Sequence, residues 1–377
     1  MPHVTTIRRR ALGATAAATA VAAVFAGALI AVFTGSPGTA VAGDDDDLPI
    51  VIAHRGASEF RPEHTLAAYR LAIDMGADFI EPDLVSTKDK VLVARHENEI
   101  STTTDVADHP EFATRRTTKT IDGRAVSGWF TEDFTLAELK TLRAKERLPD
   151  LRPENTAFDR RFEIPTLAEV IDLARRNNVG VYPETKHPSY FDSIGLSLEE
   201  PLLGTLADKG LNRKNSPVII QSFETANLRE LNRRTPVRLA QLIDATGKPF
   251  DFVLNDDPRT YDDLVKPAGL DEIARYADGL GVHTARVIPV DSAGRLQDPT
   301  PLVRDAHRRD LDVHVWTVRT ENANLPGELR DGDPASPVFA RATGNAPRWY
   351  HLLYRTGIDG LFSDDPGLAV ATRDEIF

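Results

Sequence analysis

Two carboxylates stand two residues apart in the run "FIEPDLV", Glu81 and Asp83. On an extended strand such neighbours project to the same side, so their charges share one small volume and repel unless a cation lies between them. An all-oxygen donor set suits a hard divalent ion, Mg²⁺ or Ca²⁺. The plainer use of the spacing is a solvated strand face, but the flanking Phe79, Ile80 and Leu84 argue for burial. The run "VYPETKH" repeats the device with Glu184 and Lys186. Glu184 can complete an oxygen shell, and Lys186 can hold a phosphate or balance the carboxylates; the alternative is an internal salt bridge at a strand end. His54 closes "LPIVIAH" and His96 closes "VLVARH". Two imidazoles offer a general base and a general acid, although either can instead ligate a metal or sit in the core with its hydrogen bonds met. Arg55 adds a planar fork suited to phosphate oxygens, or else pairs with Glu63 or Glu81. Acids for a hard cation, two histidines, and an arginine with a lysine for an anion compose a site for a phosphate ester. The chain has no "GxxxxGK[ST]", no "GxGxxG" after a strand and no "GxSxG", so nucleotide-binding and serine-hydrolase chemistry lose ground.

Residues so far apart in sequence need a scaffold that converges them. From Leu48 onward, short β-branched runs alternate with segments of helical period, the pattern of repeated βα units around a parallel sheet. "LPIVIAH", "DFIEPDLV", "VLVARHE", "VGVYPETKH", "PVIIQSF", "VRLAQLI", "GLGVHT", "DVHVWTV" and "GLFSD" read as strands, and "EHTLAAYRLAIDMG" as a helix ending at Gly76. About eight core strands close a TIM (β/α)8 barrel, whose functional residues gather at the C-terminal strand ends. Two stretches break the alternation. The polar, Thr- and Arg-rich segment 98–162 reads as an inserted region after the second strand with a lid or substrate-shaping role, and 321–347 as a second long loop.

The chain has 377 residues, within the range of one barrel carrying insertions, and a formal net charge of −12, which argues against general affinity for nucleic acid or anionic membranes. It contains no cysteine, which excludes disulfides, a thiolate metal site and a lipid-anchored cysteine. Residues 1–42 combine a basic start with Arg8, Arg9 and Arg10, a long Ala/Val-rich run and a small-residue "AVA" at Ala40–Ala42. That layout predicts an export signal, of twin-arginine type, cleaved near Ala42, although the apolar run is also long enough for an uncleaved anchor. The expected division is therefore an export segment 1–42 and a barrel domain 43–377 that is secreted or periplasmic, with Asp44–Asp47 as a solvated terminus.

The elements "IAHRGASEFRPEHTLAAY", "GADFIEPDLVSTKDKVLVARHE", "PETKHP", "QSF" and "VWTV" together resemble the glycerophosphodiester phosphodiesterase family, in the family's order, from about Ile50 to Pro366. The resemblance implies His54 and His96 as the acid/base pair, Glu81, Asp83 and Glu184 as ligands of one divalent ion, Arg55 and Lys186 on the phosphate, and Trp316 against the alcohol or glycerol part. It also puts Gln221 and Phe223 near the substrate. Two departures stand out: Glu97 follows His96 where many members carry Asp, and His64 stands in "PEHT" where many carry Asn. Both are consistent with adjusted supporting contacts. The implied reaction is hydrolysis of a small glycerophosphodiester to sn-glycerol 3-phosphate and an alcohol. Competing readings are a phospholipase D- or C-like enzyme on intact phospholipids, against which no amphipathic or basic docking segment is seen, and a secreted binding protein on the same barrel, against which the full residue set stands.

Overall fold

The computed structural model describes residues 48–377, so the expected export segment 1–42 and Asp44–Asp47 lie outside the described residues. The barrel begins with β1 (Ile50–His54), β2 (Phe79–Glu81) and β3 (Asp83–Ser86), and a short β4 (Leu92–Ala94) follows outside the parallel ring. A separate hairpin, β5 (Thr117–Ile121) and β6 (Arg124–Gly128), comes next. The barrel resumes with β7 (Gly180–Val181), β8 (Glu184–Thr185), β9 (Ile219–Ser222), β10 (Arg238–Ile243), β11 (Gly279–His283), β12 (Asp312–Val318) and β13 (Gly360–Ser363).

All barrel ladders are parallel, and β1 pairs with both β2 and β13, which closes the ring. The second and third of the eight positions are each split, β2/β3 at Pro82 and β7/β8 at Pro183. Proline lacks the N–H a ladder needs, and so interrupts the strand. Both proline carbonyls still accept, from Glu184 N at 3.0 Å and Gln221 N at 2.9 Å, so the wall stays sealed. This is a TIM barrel.

One expectation is corrected. "VLVARHE" is not a barrel strand: β4 returns antiparallel along β3, with Leu84, Val85 and Ser86 opposite Ala94, Val93 and Leu92. Only five residues separate the two strands. A parallel crossover needs a dozen or more, whereas a short polar turn such as "TKDKV" suffices for a hairpin. His96 therefore arrives at the mouth on the rebound of a hairpin and not at the end of a parallel strand.

The strand period of two sorts the core into two layers. Ile52, Phe79, Tyr182, Ile219, Ala240 and Phe362 fill the barrel interior, with Ile50 and Trp316 packed against them. Their odd neighbours, Val51, Ala53, Ile80, Val181, Ile220, Leu239, Val313, Val315 and Leu361, face the surrounding helices in the main core. The helix predicted after β1 forms over Leu66–Asp74, capped by Thr65, whose side chain accepts from Ala68 N at 3.1 Å. Gly56, at φ +89°, lies so close to this helix that a Cβ would sit 2.6 Å from the Ala68 carbonyl carbon. Segment 98–162 carries β5 and β6, several single 3-10 turns and a short helix, Leu136–Leu139, closed by a Thr135/Glu138 capping box. Its buried Phe112, Phe134, Leu139 and Leu142 join the main core, so it is packed onto the barrel wall.

Candidate active site

Continuing each inward-facing row by two residues gives the site. Ile52 leads to His54, Phe79 to Glu81 and Asp83, Tyr182 to Glu184 and Lys186, Ile219 to Gln221 and Phe223, and Phe362 to Asp364. Register keeps them level: His54 lies opposite Glu81, Asp83 opposite Glu184, and Glu184 opposite Gln221. His54, Arg55, Glu81, His96, Glu184, Lys186 and Trp316 line one cavity of about 370 Å³. Asp83 lies with Glu81 and Glu184 in a buried cluster whose ligand oxygens fall within 4.8 Å of one another. The structure thus brings all eight predicted residues together.

The acids are held from behind. Glu81 Oε2 accepts from the Arg55 backbone N–H at 2.9 Å, and Glu81 Oε1 from Gln221 Nε2 at 3.2 Å. Arg55 reaches that position at φ +61°, a left-handed conformation that tertiary contacts must hold. Its guanidinium donates to Glu63 at 3.1 Å and pairs with Asp83 at 3.3 Å, so the ion pair and the anion-facing fork are one residue. His64 enters the network: Nε2 donates to Asp83 at 2.9 Å, and the Tyr69 hydroxyl is 2.7 Å from Nδ1. Burial and repulsion from Asp83 and Glu184 push the Glu81 carboxyl well above the usual range. Burial raises Glu184 to about 8, with Lys186 at 3.1 Å opposing and Asp83 adding to the rise. Asp83 goes the other way, because Arg55 and His64 outweigh its burial. Three buried carboxylates at this spacing, two of them resisting ionisation, form a donor set that fits a hard divalent cation. The Gln221 Oε1 acceptor, buried and without a partner among the described residues, adds to that fit.

Their surroundings favour the neutral form of both imidazoles. Burial and the neighbouring Arg55 lower His54 to about 4, and burial, Arg55 and Lys186 lower His96 to about 3. His54 Nδ1 donates to Asp364 at 2.6 Å, and His96 Nδ1 pairs with Glu97 at 2.9 Å. Each ring therefore keeps its Nε2 free of a carboxylate, and His96 Nε2 lies 3.4 Å from Lys186 Nζ. Trp316 is fixed by its indole N–H, which donates to Gly281 O at 2.8 Å, and meets Phe223 edge-on at 5.6 Å. Beyond Glu184, Lys186 and Phe223 opens a larger chamber of about 850 Å³, walled by the β5–β6 turn and the loop after β10.

Sequence reasoning missed several supporting groups. His283 ends β11 as His54 ends β1, and Asp364 directly follows β13, so the strand-end rule applied evenly would have found them. Arg152 and Arg319, which both contact Asp364, carry no local signal, while His187, which contacts Glu97, stands at the end of the quoted run "VYPETKH" and was passed over.

Neutral imidazoles, fixed cations and a carboxylate cluster at the C-terminal mouth of a parallel barrel define a hydrolase site for an anionic ester. The family model described as "Glycerophosphoryl diester phosphodiesterase family" matches residues 54–368, and the chain belongs to that family. It is 37% identical over 333 residues to the glycerophosphodiester phosphodiesterase GDPD6 of Arabidopsis thaliana, covering 85% of this chain and 84% of that protein. A glycerophosphodiester phosphodiesterase of Haemophilus influenzae is 28% identical over 348 residues, covering 85% and 88%. Among solved structures, the putative glycerophosphoryl diester phosphodiesterase of Silicibacter pomeroyi superposes with a TM-score of 0.62 at 20% identity, covering 88% of this chain and 94% of that one. A phosphodiesterase of Oleispira antarctica, solved with the product sn-glycerol-3-phosphate, gives 0.56 at 21% identity, covering 87% and 97%. These two likenesses carry the fold.

Proposed function

We propose that this chain hydrolyses small glycerophosphodiesters to sn-glycerol 3-phosphate and an alcohol, with His54 and His96 as the acid/base pair. The observation that carries the reading is that two neutral imidazoles open into the same cavity as Arg55, Lys186 and the acid cluster. Family membership supports it, as does the product held by the Oleispira antarctica phosphodiesterase.

Arg55 and Lys186 bind the phosphate oxygens, and their fixed placement stabilises the charge that develops there. His54, with Nδ1–H committed to Asp364, presents a lone pair at Nε2 and is suited to take a proton from the attacking hydroxyl, whether water or the substrate's own glycerol hydroxyl. A bound phosphate anion favours the charged form of His96, whose Nε2–H then passes to the leaving oxygen while its Nδ1–H stays on Glu97. His54 afterwards returns the proton it took to solvent, and His96 is recharged from there. The leaving alcohol faces the larger chamber, and Trp316 packs against the glycerol arm. Glu81, Asp83 and Glu184 would hold one divalent ion, Ca²⁺ or Mg²⁺, which supplies Lewis-acid charge to the phosphate when bound. The chain works outside the cytoplasm, exported through residues 1–42 with cleavage near Ala42; N-terminal sequencing of the released protein tests this, and a retained Met1 would refute it.

The decisive experiment uses two substrates, glycerophosphocholine and an aryl ester of glycerol phosphate whose leaving group needs no proton. His54→Ala loses roughly 10²–10⁴-fold in turnover on both, as expected of a base. His96→Ala loses as much on glycerophosphocholine but recovers on the aryl ester. Unchanged turnover in either variant on glycerophosphocholine overturns the assignment. Treatment with a chelator abolishes release of glycerol 3-phosphate, and Ca²⁺ or Mg²⁺ restores it; activity that survives chelation removes the ion from the mechanism.

A further inference from the structure

Segment 98–162 reaches the rear of each imidazole once, and a third contact, Arg147 Nε to Glu63 at 2.9 Å, backs Arg55. On one side is Asp122, at the tip of the β5–β6 hairpin. Asp122 and Gly123 form a two-residue turn with φ of +45° and +76°, the geometry an Asp-Gly pair adopts readily. Asp122 Oδ2 accepts from His187 Nδ1 at 2.6 Å, and His187 Nε2 donates to Glu97 Oε2 at 2.9 Å. The other Glu97 oxygen is 2.9 Å from His96 Nδ1. His187 is held at φ +51°, a conformation that persists only where its surroundings fix it. On the other side, Arg152 Nη2 donates to Asp364 Oδ2 at 2.6 Å, while Asp364 Oδ1 accepts from His54 Nδ1 at 2.6 Å. Arg152 also donates to Glu321 Oε1 at 2.7 Å and Ser58 O at 2.9 Å. Neither Asp122 nor Arg152 lines the cavity that holds the two imidazoles, and only Asp122 borders the larger chamber beyond it.

We propose that the inserted segment is a positioning module for catalysis, with Asp122 acting through His187 and Glu97 on His96, and Arg152 acting through Asp364 on His54. This rests on the reading of His54 and His96 as the acid/base pair. His187, with both ring nitrogens on carboxylates, is a fixed cation that holds Glu97 in place. Glu97 and Asp364 then each take an Nδ1–H, which sets tautomer and ring angle and directs Nε2 into the cavity. The charged groups around His187 are Asp122, Glu97 and Lys186; those around His96 include Glu97, Lys186, Arg55, Asp83 and Glu63; those around His54 include Arg55, Asp364 and Arg319. A lid that merely shapes the substrate would act on KM, whereas a module that aims the imidazoles acts on kcat.

The test is steady-state kinetics of the full chain on glycerophosphocholine for Asp122→Asn, Asp122→Glu and Arg152→Met, with circular dichroism to establish folding. Asp122→Asn and Arg152→Met are expected to lower kcat by roughly 10–100-fold, the scale of a small misplacement of a reacting group, with KM within about twofold. The alkaline limb of the kcat/KM profile shifts in Asp122→Asn, and Asp122→Glu recovers part of the loss. Should Arg152→Met not fold, the Asp122 pair, on a hairpin tip, carries the test. Folded variants with unchanged kcat and pH profile, or with a change in KM alone, overturn the proposal while His54→Ala and His96→Ala remain inactive. If those two histidine variants are active, the reading of the site falls, and this inference with it.

Discussion

At the scale of single residues, the site is built from groups kept away from their solution behaviour. Arg55, His64 and His187 all adopt left-handed backbone conformations, which cost on the order of 1–2 kcal/mol each outside glycine and asparagine-like residues. Hydrogen bonds to Asp83, Glu81 and Glu97 offset that cost. His187 supplies a pH prediction. Burial opposes its charge, but Asp122 and Glu97 raise it from 6.5 to about 9. A raised histidine contributes stability that is full below its unfolded value and is lost as pH climbs through the folded one. The difference in unfolding free energy between wild type and Asp122→Asn should therefore be greatest below pH 6.5 and shrink towards pH 9, with a ceiling on the order of 3 kcal/mol. Urea titrations at several pH values measure it, and a pH-independent difference would count against the charged His187. Residues of this kind mark where sequence reading stops. Glu81, Asp83, Glu184 and His54 were legible because their types recur at barrel strand ends, whereas His96 closes an apolar run that returns as a hairpin. The partners Asp122 and His187 are 65 residues apart, and Arg152 and Asp364 are 212 apart, with no shared pattern to join them.

At the scale of elements, the alternating strand pattern placed the barrel and its mouth, and it failed only where chain length had to decide. The apolar run of β4 is as strand-like as its neighbours; the five-residue link to β3 is what forbids a parallel partner. The split strands also have a packing requirement. Gly180 opens β7 against the Phe79 ring, and a Cβ there would lie 2.2 Å from the ring edge. Gly180→Ala should thus destabilise the fold by about 1–3 kcal/mol, the usual scale of overpacking, without touching any group that faces the cavity. Thermal unfolding reads the loss, and wild-type stability would show that the β2–β7 contact yields freely.

The whole molecule is an acidic barrel whose active groups come from nearly every part of the chain. No helix among the described residues is long and apolar enough to cross a membrane. The net charge of −12 coexists with Arg55 and Lys186 at the mouth, so the positive charge there is local and set against the overall field. Ladders that join residues far apart in sequence make folding slow relative to helix formation. On refolding from denaturant, helical signal should return before hydrolytic activity, because the His54–Asp364 contact waits for β13 to close the ring. Simultaneous recovery of the two signals would contradict that order.

The ring closure has a meaning for biosynthesis as well. His54 and Asp364 are 310 residues apart, so one emerges from the ribosome near the start of translation and the other almost at its end. A nascent or prematurely terminated chain carries the histidine, the acid cluster and both cations, yet has nothing to orient the ring. On the mechanism proposed above, the hydrolase is thereby dormant throughout its own manufacture, and only finished molecules are active.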